Sequence, residues 1–135
     1  MVIQMGTSTS MSTTIYISEE DLVENIQARF AAVYPFLSIE FFHMPHGEGE
    51  PSLPSDHIPG STPIDDIRIV HAFGWLDISG NKPVAQVEKE FYELFGLSVQ
   101  VFRQARHGKL ETTRTDHLTL EVQNELGKKT RGIAL

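Results

Sequence analysis

Two stretches of the chain repeat one pattern of apolar and polar positions. TIYIS at 14–18 and WLDIS at 75–79 alternate with the period of a half-buried strand. Each leads into a run with helical spacing: Leu22, Ile26, Phe30 and Val33 in the first, and Val84, Val87, Phe91, Leu94 and Phe95 in the second. Intervals of three and four place such residues on one stripe of a helix. Each run then meets a stop, Pro35 or Gly96, because proline cannot continue a helix and glycine suits its C-terminal turn. An apolar strand follows each time, LSIEFF at 37–42 and LSVQVF at 97–102.

The two stretches align without a gap. Ile15 falls on Leu76, Ile17 on Ile78, Ser18 on Ser79, Val23 on Val84, Ile26 on Val87, Phe30 on Phe91, Val33 on Leu94 and Tyr34 on Phe95. Deleting Phe36 brings Leu37–Phe42 onto Leu97–Phe102. The matched positions are those a core would use, and this predicts an α+β chain with two βαβ repeats at about 14–44 and 67–106. Side by side, the repeats would form a ferredoxin-like antiparallel sheet with two helices on one face. VQVFR and KLETT predict a hairpin across QARHG, and DHLTLEVQNELG a C-terminal helix with Asp116 as cap and Gly127 as stop. Ser18 and Ser79 stand where a helix cap or turn belongs. IRIVHAFGWLDIS is long for one strand, and a break at Gly74 would give a β-grasp-like order instead.

Composition narrows the function classes. The chain has 135 residues and no cysteine, which excludes disulfides, thiolate metal sites and cysteine nucleophiles. Residues 13–135 read as a single domain. The Ser/Thr-rich segment 1–12 reads as a disordered extension, with Met11 a candidate start. It has no basic region followed by an apolar run, so it does not read as a signal peptide, and the expected location is the cytoplasm. No apolar run approaches the ~20 residues that span a bilayer. Net charge is −7 and uneven: residues 1–66 hold ten acids and one base, and residues 67–135 hold eight acids and ten bases. An acidic chain is repelled by phosphate backbones, so nucleic acid is a poor candidate partner overall.

Candidate chemistry is sparse. PHGEGEPSLPSDHIPGSTP, at 45–63, has little apolar content and reads as a mobile or partner-binding loop. His43, His46, Glu48 and His57 supply the one metal-like grouping of imidazoles and carboxylates. Residues three apart on a strand face opposite ways, which argues against that site, and no cofactor is expected. Phosphate-binding, dinucleotide-binding and nucleophile-elbow motifs are absent. Asp65 and Asp66 mark a turn, and His71 reads as a mid-strand histidine. Arg103, Arg106, His107, Lys109 and Arg114 surround the predicted hairpin and could grip an anion or an acidic partner. On an edge strand, such charges also prevent unwanted pairing. Trp75 is a candidate interface anchor.

VAQVEKEFYELFGLSVQVFRQ with LETTRTDHLTLEVQNELG, and more loosely FLSIEFFHMPHGEGE, resembles a group of small uncharacterised bacterial proteins. The resemblance implies no activity or ligand. The residues therefore predict a non-catalytic interaction or regulatory domain with an unknown protein partner, self-association into a homo-oligomer included. The alternatives are a metal-dependent hydrolase using the 43–57 loop and a small nucleic-acid binder using the 103–114 hairpin.

Overall fold

The computed structural model describes residues 13–43, 47 and 49–133. Residues 1–12, including Met11, and the candidate ligands His46 and Glu48 lie outside the described residues.

The elements follow the apolar pattern. They are β1 (Thr14–Ile17), α1 (Val23–Val33), β2 (Leu37–Phe42), β3 (His57–Ile58), β4 (Gly74–Asp77), α2 (Val84–Phe95), β5 (Ser98–Ala105), β6 (Gly108–Glu111) and α3 (Leu120–Ile133). The chain is thus mixed α and β, with three α-helices and two antiparallel sheets among the described residues. The hairpin forms as expected, with Ala105 opposite Gly108 and Arg106–His107 as the turn. Gly108 has φ 102° there, a left-handed conformation open to glycine.

The sheet order departs from the ferredoxin-like expectation, and from a β-grasp order as well. β1 pairs only with β4, while the second sheet has the order β3-β2-β5-β6. Strands of matching sequence pair with each other. Ile15 faces Leu76, and Glu40 faces Gln100. These are residues that the alignment had already matched. Hydrophobic period assigns each strand a face but not a neighbour, and two similar strands offer each other equivalent apolar faces.

The core forms where the inner faces of both sheets meet the helices. Ile15, Ile17, Leu76 and Ile78 come from one sheet region, and Leu37, Ile39, Phe41, Val99 and Val101 from the other. α1 adds Val23, Ile26 and Phe30, and α2 adds Val84, Val87 and Phe91. Phe30 and Phe91 both have 0% exposure. Each such side chain contributes roughly 1.5–3 kcal/mol through burial. The stripes end differently from the sequence expectation. Val33 and Leu94 are exposed, whereas Phe95 is buried as its stripe predicts, and Tyr34 is buried at the matching position of the first repeat.

Several expected helix signals act otherwise. Ser18 caps nothing; its backbone N–H donates to Asp21 Oδ2. α1 begins at Val23, and its first free N–H groups are taken by distant carbonyls, Val23 N to Thr62 O and Glu24 N to Gly60 O. α2 repeats the arrangement with Val84 N to Leu118 O and Ala85 N to Asp116 O. Ile64 N then returns to Asp21 O, as Leu120 N returns to Lys82 O. Buried helix termini require such partners. Asp116 therefore serves α2 rather than capping α3. Gly127 does not end α3; a Cβ there would lie 2.8 Å from Phe36 O, so the glycine permits close approach.

The 45–63 stretch is better packed than its composition implies. Its described part contains a 3₁₀ turn at Pro54–Asp56, the strand β3 and the carbonyls that hold α1. Ile58 joins the core, Ser52 is buried, and Gly49 N donates to Asp116 Oδ2. No described helix is long and apolar enough to cross a membrane.

Candidate functional site

The residues singled out in the sequence fall in three places, two of which, the hairpin and the loop, meet at Glu40 through Lys109 and His57. In the hairpin, Arg103 sits opposite Leu110, whereas Lys109 sits opposite Gln104. Strand alternation therefore sends the two cations to opposite faces. Arg103 donates to Gln123 Oε1 of α3 at 2.8 Å, and Lys109 reaches Glu40 Oε2 at 3.1 Å. Arg106 and His107 occupy the exposed turn, and Arg114 lies exposed in the 3₁₀ turn Thr113–Thr115. The five do not form one patch.

The loop histidines also separate. His43 is exposed, and its backbone N–H donates to Asp56 O. His57 joins Glu40 instead, with Nε2 and Oε1 2.8 Å apart. Among the described residues, no group of three or more His, Asp or Glu side chains is placed to hold a metal ion.

Glu40 is the centre of a polar cluster that the sequence did not reveal. β2 carries it on the face opposite Ile39 and Phe41. Besides His57 and Lys109, Gln27 of α1 approaches its Oε1 at 3.3 Å and donates to Ile39 O at 2.9 Å. Burial alone pushes the Glu40 carboxyl up, but the donated bonds from His57 and Lys109 more than reverse this, and its pKa lies below the ordinary value. A carboxylate held in this way is a poor general base and a good strand tie. It links β2 to β3 and β6. Across the sheet, Gln100 Nε2 stands 3.3 Å from Glu88 Oε2, and Val101 N donates to the same oxygen at 2.8 Å.

Trp75 lies in the third place. β4 buries Leu76 and turns Trp75 and Asp77 outward. Trp75 is 66% exposed and meets Tyr16 edge to face, with ring centroids 5.0 Å apart. The preceding residues do not extend the strand. Gly74 has φ 145°, and 67–73 run as irregular chain with Ile69, Val70 and Phe73 exposed. His71 is accordingly a surface residue near Asp65 rather than a mid-strand one. The segment is nevertheless anchored. The Arg68 side chain is buried and donates to Ala72 O at 2.8 Å and Phe95 O at 3.0 Å. Asp65 and Asp66 belong to a 3₁₀ turn, Ile64–Asp66.

Tyr16 was legible as an outward residue, because Ile15 and Ile17 alternate around it. Arg68 carried no signal, since a single arginine in an apolar run gives no hint of which carbonyls it will meet. Comparison with family models, curated proteins and solved structures finds no match.

Proposed function

We propose that this chain is a non-catalytic protein-interaction domain built from two equivalent halves. The second part of that reading rests on bonds that recur at matched positions. Arg29 pairs with Asp21 and donates to Tyr16 O at 3.0 Å, while Lys82 pairs with Glu90 and donates to Asp77 O at 2.8 Å. Gln27 and Glu40 are linked in one half, as Glu88 and Gln100 are in the other. The matched backbone bonds extend the correspondence through Ile64 and Leu120, beyond the repeats visible in the sequence.

One observation carries the functional part. Ile69, Val70, Phe73 and Trp75 expose four apolar side chains within seven residues, on a segment that buried Arg68 holds in shape. Scattered surface apolar residues need no explanation, but a concentrated run on a fixed backbone marks interaction surfaces. Trp75 has the size and shape of an interface anchor.

A photocrosslinking residue placed at Ile69 tests this in the cells that encode the protein. A control residue at exposed Glu93 of α2 reports background. The expected result is a discrete crosslinked species from position 69 alone. Equal background from both positions would reject the proposal.

A further inference from the structure

The charges around the exposed apolar run select a class of partner. Asp77 shares the outward face of β4 with Trp75. Ile17 faces Gly74, so the chain leaves β1 beside the 71–73 end of the run, and exposed Glu19 and Glu20 follow there. Asp65 is already paired with Arg68 Nη2 at 3.4 Å and lies 3.9 Å from the His71 ring, whereas Asp66 beside it is exposed. The nearby cations are already engaged. Arg29 is held by Asp21, Lys82 by Glu90, and the Arg68 side chain is buried.

We infer that this surface binds a cationic segment of another protein: an aliphatic or aromatic side chain flanked by lysine or arginine. The inference rests on the interaction reading above and assigns the partner's chemistry. Its apolar side chain would cover Ile69, Phe73 and Trp75. Its cations would face Asp77, Glu19 and Glu20, and one could lie over the aromatic face of Trp75. Two copies of this chain meeting patch to patch would oppose two acidic rims. A phosphate backbone or an anionic lipid surface would meet the same repulsion.

Trp75 is the chain's one tryptophan, so its fluorescence reports the surface directly. The intact chain is titrated with a short Lys/Leu peptide, and with Glu/Leu and Lys/Ser peptides of the same pattern. The expected result is a saturable blue shift with Lys/Leu only, weakening as salt rises. Glu19→Lys with Glu20→Lys, at two exposed positions, should weaken it roughly tenfold, with the circular dichroism spectrum unchanged. Phe73→Asp should abolish it. No response to Lys/Leu, or an equal response to Glu/Leu, would overturn the inference. A blue shift that grows with protein concentration alone would overturn it in favour of a second copy. A discrete crosslink from Ile69 with no response to Lys/Leu would remove the cationic class and leave the interaction reading standing.

Discussion

The ion pairs that tie each helix to its first strand use opposite charges for the same task. In the first half, acidic Asp21 precedes α1 and basic Arg29 lies within it. In the second, basic Lys82 precedes α2 and acidic Glu90 lies within it. In both halves the cation also satisfies a carbonyl of the preceding strand, Tyr16 O or Asp77 O. Gln27 with Glu40 and Glu88 with Gln100 exchange amide and carboxylate in the same manner. What recurs is the satisfied backbone group, which either charge pattern can supply. The halves diverge where no such demand exists. The first joins β2 to β3 through a long connection and ends in a 3₁₀ turn, Ile64–Asp66; the second uses a two-residue turn and a full helix, α3.

The strongest test of equivalence is in the core. Phe30→Ala and Phe91→Ala should each cost about 3–5 kcal/mol in denaturant unfolding, as expected for buried aromatics. A cost below about 1 kcal/mol for either would show that the halves are not equivalent in packing.

Exchanging charges sharpens the comparison. Arg29→Glu leaves buried Asp21 beside a like charge and Tyr16 O without its donor, and should cost roughly 2–3 kcal/mol, less than a fully buried pair because Arg29 is partly exposed. Asp21→Lys combined with Arg29→Glu installs the second half's polarity, and should recover most of that loss. If the double variant is no more stable than the single one, the bond pattern does not transfer between halves.

Protonation gives smaller effects with definite signs. The Ser79 bonds to Asp77 lower that carboxyl. The Asp21 carboxyl is raised by burial but brought below its usual value by Arg29 and Ser18, and Glu40 is depressed as well. A depressed carboxyl contributes stability above its ordinary pKa, 3.8 for Asp and 4.5 for Glu, that is lost as pH falls through the folded value. Unfolding free energy should therefore decline on acidification below those values, and Glu40→Gln should flatten the decline while costing about 0.5–1 kcal/mol at neutral pH. Tyr34 acts in the opposite direction. Its hydroxyl donates to Ile78 O, and burial with the negative charges of Glu121 and Asp77 pushes it up to about 12 from 10.0. Its contribution is complete below pH 10.0 and lost as pH rises towards 12, so Tyr34→Phe should flatten the alkaline limb. An unchanged pH profile in either variant would separate that residue from the linkage.

The smallest effect is expected at the hairpin turn. Arg106→Glu with Arg114→Glu alters exposed charges and should change stability by no more than about 0.5 kcal/mol. A larger loss would mean that these arginines support the fold.

The sequence by itself determined the strand–helix–strand order of both repeats, the 98–111 hairpin and most of the side chains that face inward. Those features follow from periods of two and 3.6 residues, which are local properties of the backbone. Phe30, Phe91 and the outward Tyr16 were legible for that reason. The tertiary structure alone decided that β2 pairs with β5 and β1 with β4, because the apolar faces of similar strands do not encode which neighbour they meet. It also decided how the helices begin. Thr62 and Gly60 reach α1 across more than thirty residues, and a distant carbonyl satisfies an N–H group as well as an adjacent side chain would. The exposure of Ile69 and Phe73 was settled in the same way. The strand begins only at Gly74, and Arg68 donates to the Ala72 and Phe95 carbonyls, which holds an apolar run at the surface that its composition alone would have placed inside.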